Sequence, residues 1–312
     1  MVVKRIIGSY TGEEKGPLFI TLGGTHGNET AGVKALDLVL KMLEVEPITN
    51  PNFTFRGQFL ALTGNLAALA QEVRFVDKDL NRQFTHTNIE RIKNDPIDKL
   101  DTEDKELKAL ISTIEFAINE YDPEKVILLD LHTTSSDGGI FTITSDDEDS
   151  IRLGQELHAP VVLGFIRGIG GTTLHYFNSE NIGRKVIALS FEAGQHNDPL
   201  SVNRSIAAII NVMRSVGCVR EEDVENRHIH LLEEYGKNLP TIVELQHVHH
   251  IDESKNFVMN PGFSNFQPIK KGQPMAIEDG NIVPAEMDGL ILMPLYQHKG
   301  SDGYFIVKVI EE

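Results

Sequence analysis

The sequence has little cysteine and few basic residues for its length of 312. Its one cysteine, Cys218, excludes an internal disulfide framework, and the apolar stretch around it predicts a packing role. Lysine and arginine total 29 against 46 aspartates and glutamates, which gives a formal net charge of −17. This balance argues against nucleic acid as a ligand, because phosphate binding needs basic stripes and none is visible.

Long apolar runs are also missing. No window approaches the roughly 20 apolar residues of a membrane span, and the first ten residues carry Lys4 and Arg5 without the apolar run of a signal peptide. We therefore expect a cytoplasmic protein that contacts neither membrane nor nucleic acid. Small molecules or proteins remain as ligands, and self-association is left open. An anionic substrate would need local arginines to overcome the repulsion of the acidic chain.

Apolar segments with two different spacings alternate along most of the chain. Residues 31–43, 106–119 and 202–216 have apolar positions at helical spacing, and residues 66–71 fit a short helix or loop. Runs typical of strands lie near residues 4–10 and at 18–22, 53–62, 126–131, 161–165 and 186–191. This alternation predicts an α/β fold, with a mixed, largely parallel sheet and helices on both faces.

The pattern changes beyond about residue 220. Short strand-like runs at residues 241–251, 269–277, 289–294 and 304–310 are separated by glycine, proline and asparagine. We predict two domains, an α/β catalytic domain over residues 1–224 and a β-rich domain over residues 225–312. His247 and His249 fall on one face of the first of these strands, and we interpret them as a solvent-facing polar face without a metal.

A strand that ends at a glycine pair offers the first candidate site. Gly23 and Gly24 close the run 18–22 and allow a sharp turn, after which His26 and Glu29 follow three positions apart. Imidazole and carboxylate are both zinc ligands, and a catalytic zinc needs three protein ligands plus an open position. The simpler interpretation is a turn in which both residues cap the next helix. A nucleotide-binding loop is disfavoured, because the glycines fit neither G-x-G-x-x-G nor a phosphate loop.

Two further polar residues stand at strand ends. His132 follows the run 126–131 directly, and Glu192 follows the run 186–191. Ligands of open α/β sheets bind at the carboxyl ends of the strands, so these side chains can converge on His26 and Glu29. We therefore predict one zinc per chain held by His26, Glu29 and His132, with Glu192 as general base and then general acid on a zinc-bound water. Each residue alone fits a capping, salt-bridged or strand-ending role, and only their joint placement favours a site.

Arginines crowd the segment of residues 74–84, which lies between two strands. Arg74, Asn81 and Arg82 belong to it, and Leu80 and Phe84 are typical of anchors that would fix the segment. Guanidinium groups capture carboxylates in a bidentate manner and stabilise an oxyanion near a metal. The alternative is a surface loop of mixed charge.

Together these motifs resemble the succinylglutamate desuccinylase/aspartoacylase family, whose members are zinc-dependent amidohydrolases related to the metallocarboxypeptidases. The resemblance rests on Gly23-Gly24-Thr25-His26-Gly27-Asn28-Glu29, on Asp79-Leu80-Asn81-Arg82 within residues 74–84, on Asp130-Leu131-His132-Thr133-Thr134 and on Glu192-Ala193-Gly194. Residues 266–294 also look like the β-domain that partly covers the active site of aspartoacylases.

The resemblance implies a role for each matching residue. It implies that the zinc ligands are His26, Glu29 and His132, that the catalytic base and acid is Glu192, that Arg74 polarises the scissile carbonyl, and that Asn81 and Arg82 hold a substrate carboxylate. Two further substrate-binding residues of aspartoacylases would correspond to Arg184 and Tyr304, although the spacing before Glu192 and the sequence of residues 299–303 differ from the family's.

The resulting hypothesis is a zinc-dependent hydrolase that cleaves the amide bond between an acyl group and an amino acid. One alternative is a metallocarboxypeptidase acting on peptides, which would need an open groove rather than a pocket covered by a β-domain. The other is a catalytically silent metal- or ligand-binding protein, which a missing ligand or base would favour. Every expected position is filled, so the hydrolase is the interpretation that the sequence favours.

Overall fold

A sheet of eleven strands organises the computed structural model, which describes residues 4–223, 227–252 and 254–311. The strands in chain order are β1 (Ile6–Thr11), β2 (Glu14–Gly23), β3 (Arg56–Thr63), β4 (Lys125–Thr134), β5 (Phe141–Thr144), β6 (Val161–Leu163), β7 (Lys185–Gln195), β8 (Ile242–His250), β9 (Phe257–Met259), β10 (Pro268–Ile269), β11 (Pro274–Glu278), β12 (Asn281–Pro284), β13 (Gly289–Leu292) and β14 (Asp302–Glu311). Their order in the large sheet is β1-β3-β2-β4-β7-β5-β6-β8-β14-β13-β10, and β12, β11 and β9 form a second sheet.

Helices cover both faces of the large sheet, as the sequence predicts. They are α1 (Ala31–Thr49), α2 (Leu66–Gln71), α3 (His86–Asn94), α4 (Thr102–Tyr121), α5 (Glu148–Gln155), α6 (Phe165–Gly168), α7 (Thr173–Tyr176), α8 (Ser179–Ile182), α9 (Leu200–Ser215) and α10 (Arg227–Gly236). Because side chains alternate along a strand, Leu18 and Ile20 of β2 enter the apolar cluster that contains α4, whereas Phe19 enters the cluster that contains α1 and α9. Each fully buried side chain of this kind contributes about 1.5–3 kcal/mol to stability.

Parallel pairing brings the carboxyl ends of the central strands together. Strand β2 pairs in parallel with β3 and β4, and β4 pairs in parallel with β7. In this register His132 lies opposite Glu192, and Gly23 lies opposite Leu131. The fold class is therefore confirmed in the part of the chain that carries the candidate site.

On the far side of β7 in the sheet, where β5, β6 and β8 follow, the strands are no longer all parallel and the predicted alternation of strand and helix breaks down. Strand β5, which the sequence analysis did not identify, pairs antiparallel with β7 and parallel with β6. The predicted strand at residues 161–165 ends at Leu163, because Gly164 has a left-handed φ of 80° and starts the short helix α6. The C-terminal strands then extend the same sheet, since β8 pairs with both β6 and β14.

The C-terminal segment is rich in strands, as predicted, and has a small apolar core of its own around Met275, Ile291 and Tyr304. The predicted domain boundary between residues 224 and 225 lies outside the described residues, and the large sheet continues from the first predicted domain into the second.

The structure corrects the interpretation of His247 and His249 as a solvent-facing polar face. Both are half-buried, and their rings lie 6.3 and 5.0 Å from the ring of Tyr304, so this face packs in part against the C-terminal core and is not fully exposed to solvent.

Cys218 has the packing role that the sequence predicts. It is fully buried in the apolar cluster on the α1 and α9 side of the sheet. Burial raises the pKa of its thiol to about 12, which keeps the group uncharged and unreactive near neutral pH. In the ranges that the structure describes, no helix is long and apolar enough to cross a membrane.

Candidate metal centre

The turn after β2 can form only because glycine occupies its tightest positions. Gly24 has a φ of 70°, in the region that side chains other than glycine rarely adopt. A Cβ on Gly27 would lie 2.1 Å from the backbone carbon of Ala68, so no larger residue fits there. The turn places His26 and Glu29 side by side, with the Glu29 N–H donating to the His26 carbonyl at 3.1 Å.

Three predicted zinc ligands form one buried cluster. The Nδ1 atom of His26 lies 2.8 Å from Oε1 of Glu29, and Nδ1 of His132 lies 3.0 Å from Oε2 of Glu29. Their exposures are 3 to 4%, and one potential ligand atom from each residue lies within 4.8 Å of the other two. The cluster joins residues from β4 and from the turn between β2 and α1, which the parallel register holds adjacent.

The charges in this cluster suit a divalent cation. Burial alone would raise the pKa of the Glu29 carboxyl, but the adjacent His26 and His132 hold that pKa well below its ordinary value. Burial would lower the pKa of His132, whereas Asp130 and Glu29 raise it well above its ordinary value. Without a metal, a proton on His132 and the guanidinium of Arg74 balance part of the buried negative charge. Two imidazoles and a carboxylate are a donor set that Zn²⁺ takes in catalytic sites, and a bound metal would replace the proton on His132.

Each histidine also has a carboxylate behind it. The Nε2 atom of His26 lies 3.1 Å from Oδ1 of Asp79, which leaves its Nδ1 for a metal. The Nε2 atom of His132 lies 2.9 Å from Oδ2 of Asp130, but outside hydrogen-bond geometry, so this contact is an ion-pair distance only. Carboxylates behind metal-binding imidazoles fix the ring orientation and raise ligand basicity. The sequence analysis quoted both aspartates within motifs but assigned them no role, since only the fold shows what they contact.

Glu192 lies in the same cavity as the three ligands. It is 6% exposed, and its Oε2 has no hydrogen-bond partner among the described residues. Burial and the nearby charge of Glu29 raise the pKa of its carboxyl to about 7, although His132, His26 and Arg74 oppose the shift. A buried carboxylate with a free oxygen and a pKa near neutrality can accept a proton and donate it again.

Arg74 enters the cavity from a loop that buried carboxylates hold in place. Its Nε and Nη2 donate to Oδ2 of Asp79 at 3.2 and 3.0 Å, and its Nη1 lies 3.6 Å from Oε1 of Glu29. Just beyond it, the fully buried carboxylate of Glu103 accepts hydrogen bonds from the backbone N–H groups of residues 76, 77 and 78. The sequence analysis did not identify Glu103, which lies in the first turn of α4.

Asn81 and Arg82 line the same cavity, and both have protein partners. The Asn81 Oδ1 accepts a hydrogen bond from the Thr173 N–H at 3.0 Å. Arg82 donates from Nη1 to the Asn81 carbonyl at 2.8 Å and from Nη2 to Oδ2 of Asp302 at 2.6 Å. Asp302 begins β14 and was not identified from the sequence, because nothing local to it indicates a contact with residues 220 positions earlier.

Two predicted substrate-binding residues do not reach the cavity. Arg184 precedes β7, at the opposite end of the strand from Glu192, and pairs with Asp122 at 2.7 Å on the surface. Tyr304 is fully buried in the C-terminal apolar core, where its hydroxyl donates to the Pro284 carbonyl at 3.4 Å. The expectation that these two residues line the site is corrected. Other C-terminal residues line it instead, among them Asp302 and Phe305.

Known proteins share this sequence pattern. A sequence model of the succinylglutamate desuccinylase/aspartoacylase catalytic domain matches residues 15–216. An aspartoacylase from Xenopus tropicalis is 34% identical over 131 residues, which span 42% of this chain and only 38% of the relative. A succinylglutamate desuccinylase from Pseudoalteromonas atlantica is 23% identical over 273 residues, which span 85% of this chain and 73% of the relative.

Solved structures share the fold. A crystal structure described as a succinylglutamate desuccinylase/aspartoacylase from Rhodobacter sphaeroides has a TM-score of 0.63 and 16% sequence identity, over 96% of this chain and 87% of that one. At this identity the likeness concerns the fold alone. The family match is independent of it and extends over well more than half of the sequence. The chain therefore belongs to the succinylglutamate desuccinylase/aspartoacylase family.

Proposed function

We propose that the chain is a zinc-dependent hydrolase that cleaves the amide bond of an N-acyl amino acid. The observation that carries this proposal is the position of Glu192, a buried carboxylate with a free oxygen in the same cavity as His26, Glu29 and His132. Three ligating groups and a separate base are what metal-assisted amide hydrolysis requires. Family membership supports the same class of reaction.

The metal centre would be held by His26, Glu29 and His132. Zinc, when bound there, supplies a Lewis acid that makes water nucleophilic near neutral pH. The free oxygen of Glu192 takes the proton of the attacking water and then delivers it to the amine that leaves. Burial raises the pKa of this carboxyl to about 7 before a metal is bound, and a carboxyl raised in this way is suited to accept a proton and to donate it again. Glu192 thus acts as base in the first half of the reaction and as acid in the second.

Two arginines would divide the work on the substrate. Arg74 is held by Asp79 beside Glu29, where its guanidinium can stabilise negative charge that develops on the scissile carbonyl oxygen. Arg82 and Asn81 would hold the substrate carboxylate, which fixes the amide in register over the metal centre. The side-chain Oδ1 of Asn81 accepts from the Thr173 N–H, and the side-chain NH₂ group of Asn81 remains to donate to the substrate carboxylate.

Two alternatives use the same residues. A peptide-cleaving metallocarboxypeptidase would need room for a chain on the acyl side, and the presence of C-terminal residues such as Leu295 and Asp302 in the cavity wall argues against it. A catalytically silent binding protein would need no general base, so the buried Glu192 carboxyl with its raised pKa favours an enzyme.

We further propose a cytoplasmic location and a small-molecule substrate, with no membrane or nucleic-acid partner.

The test is a hydrolysis screen of N-acyl amino acids with zinc-loaded protein, followed by metal analysis. About one zinc per chain is expected, and a chelator should abolish activity while leaving the midpoint of unfolding nearly unchanged, because a core of this size does not depend on a metal. His132→Ala should reproduce the effect of the chelator, and His86→Ala, at an exposed helix position, is the matched control. Protein that binds no zinc and hydrolyses these substrates despite chelator would overturn the proposal.

A further inference from the structure

Part of the cavity wall is apolar, and this part comes from segments far apart in the sequence. Phe165 and Ile169 follow β6, Leu174 lies in α7, and Leu295 and Phe305 belong to the C-terminal segment. The rings of Phe165 and Phe305 lie 4.9 Å apart, and both side chains are at most 5% exposed, so the wall is firmly packed. A wall of this kind binds hydrocarbon and offers no partner to a charged group.

Few positively charged side chains line the cavity, compared with the carboxylates Glu29, Glu192 and Asp302. Among the described residues that line it, Arg74 and Arg82 are the only arginines, and no lysine is present. Arg74 is already paired with Asp79, and Arg82 with Asp302. A substrate with one carboxylate can use the remaining donors of Arg82, since guanidinium has five N–H groups. The remaining donors of Arg74 are assigned to the scissile carbonyl oxygen in the proposed function, so a second carboxylate would find no free arginine or lysine among the described residues of the wall.

Asp302 adds a fixed negative charge beside the clamp. It is 8% exposed, its Oδ2 accepts from Arg82 Nη2 at 2.6 Å and from the Ser301 hydroxyl at 3.2 Å, and its Oδ1 lies 2.8 Å from Nδ1 of His250. These contacts hold the carboxylate at the cavity rather than in solvent. A like charge brought against it in a partly desolvated site is disfavoured.

We propose that the cavity selects N-acyl amino acids with a single carboxylate and a bulky apolar group, and that Asp302 rejects a second carboxylate. The proposal rests on the proposed function and names the substrate class of that site. The apolar group belongs either to the amino acid side chain or to the acyl chain, because the same hydrocarbon wall would take both. N-acyl aspartates and N-succinyl amino acids are thereby predicted to be poor substrates.

The first experiment compares matched substrates on zinc-loaded protein. N-acetylphenylalanine against N-acetylaspartate tests the side chain, and N-hexanoylglycine against N-acetylglycine tests the acyl chain. In at least one arm the apolar member should have a kcat/KM at least about 10-fold higher, the discrimination typical of apolar pockets. An equal or better rate with N-acetylaspartate would overturn the rejection of a second carboxylate, and the absence of a gain from either apolar group would overturn the apolar preference. Both outcomes leave the hydrolase function intact.

Binding separates this inference from the proposed function. Calorimetry with 3-phenylpropanoate and succinate reports the preference of the cavity without any turnover, and 3-phenylpropanoate should bind at least about 10-fold more tightly. That preference in a protein without hydrolytic activity would support the inference and count against the proposed function. Tighter binding of succinate would overturn the inference, whatever the activity.

The second experiment tests Asp302 by substitution. Asp302→Asn should raise the kcat/KM ratio of N-acetylaspartate to N-acetylphenylalanine about 10-fold, because it removes the like charge. Asp288→Asn, which removes an exposed aspartate paired with Lys270, should leave the ratio unchanged and controls for the net charge of the chain. If Asp302→Asn does not fold, Leu295→Arg tests the same point by adding a cation at a half-buried wall position. An unchanged ratio, with both substrates losing activity equally, would show that Asp302 only positions Arg82.

Discussion

The buried carboxylate of Glu103 makes the most exacting prediction about how the site is held together. Its Oε1 accepts from the Val76 N–H at 2.7 Å and from Nδ2 of Asn65 at 3.1 Å, and its Oε2 accepts from the N–H groups of Asp77 and Lys78 at 2.9 and 3.2 Å. Each oxygen thus has two donors, and the carboxylate is fully buried. Both arginines of the site belong to the loop that these bonds fix.

Replacing Glu103 by glutamine keeps the shape but turns one oxygen into an NH₂ group. In either orientation of the amide, two of the four hydrogen bonds are lost and two donors face a third donor. A hydrogen bond to a charged acceptor contributes about 1.5–3 kcal/mol, so the expected loss is about 3–6 kcal/mol. This is a large share of the about 5–15 kcal/mol that stabilises a typical domain.

Urea unfolding measures this loss directly. Glu103→Gln should lower the free energy of unfolding by about 3–6 kcal/mol with little change in the slope, and kcat/KM should fall because the arginine loop loosens. Asp98→Asn is the control, since Asp98 is exposed just before the same helix and should change the free energy by at most about 0.5 kcal/mol. If Glu103→Gln changes the free energy of unfolding by no more than about 0.5 kcal/mol, as expected for the control, the reasoning is refuted. The four hydrogen bonds to the buried carboxylate would then contribute little to stability.

Three further predictions concern the chemistry. Glu192→Gln should lower kcat by roughly 10²–10⁴ while zinc stays bound, and near-normal turnover would assign proton transfer to another carboxylate. Arg82→Lys should lower kcat/KM for a substrate with a free carboxylate, and Arg82→Gln should lower it further, by roughly 10- to 150-fold. For an analogue whose carboxylate is amidated, both variants should differ little from the wild type. Equal losses on both substrates would instead assign Arg82 to the fold. Because Glu192 must be ionised to accept a proton, kcat/KM should rise with pH through its pKa, which is about 7 without a metal and lower once zinc adds positive charge. The pH–rate profile of the zinc-loaded protein should therefore show an acid limb below about 7, and the same limb in Glu192→Gln would contradict its assignment.

The sequence predicts the central part of the site because the relevant signals there are local. Apolar runs that end in His132 and Glu192 indicate buried strands with polar residues at their carboxyl ends, and the glycines before His26 indicate a sharp turn. Parallel pairing then brings these ends together without further information. The same local logic explains why the packing role of Cys218 was predicted correctly.

The sequence could not predict the contacts that depend on distant pairing. Arg184 was selected for its distance in sequence from Glu192, but eight residues of extended strand span about 26 Å at roughly 3.3 Å each, so it lies at the other end of β7. Tyr304 and Asp302 are two residues apart on β14 and would share one face of a regular strand. The pairing with β8 shifts register between them, and Asp302, not Tyr304, lines the cavity. A register of this kind is set by tertiary packing rather than by any motif.

Strand β14 lies between β8 and β13 in the sheet, so the wall of the cavity forms later than the metal centre during synthesis. A chain that leaves the ribosome from its N-terminus exposes β2, β4 and β7 long before β14, and such non-local pairings form late in folding. The ligands of the candidate metal centre would thus be assembled on the nascent chain while the wall containing Asp302 and Phe305 is still being synthesised. A partly made chain could bind metal in an open site, but it could select its substrate only after the last strand had entered the sheet.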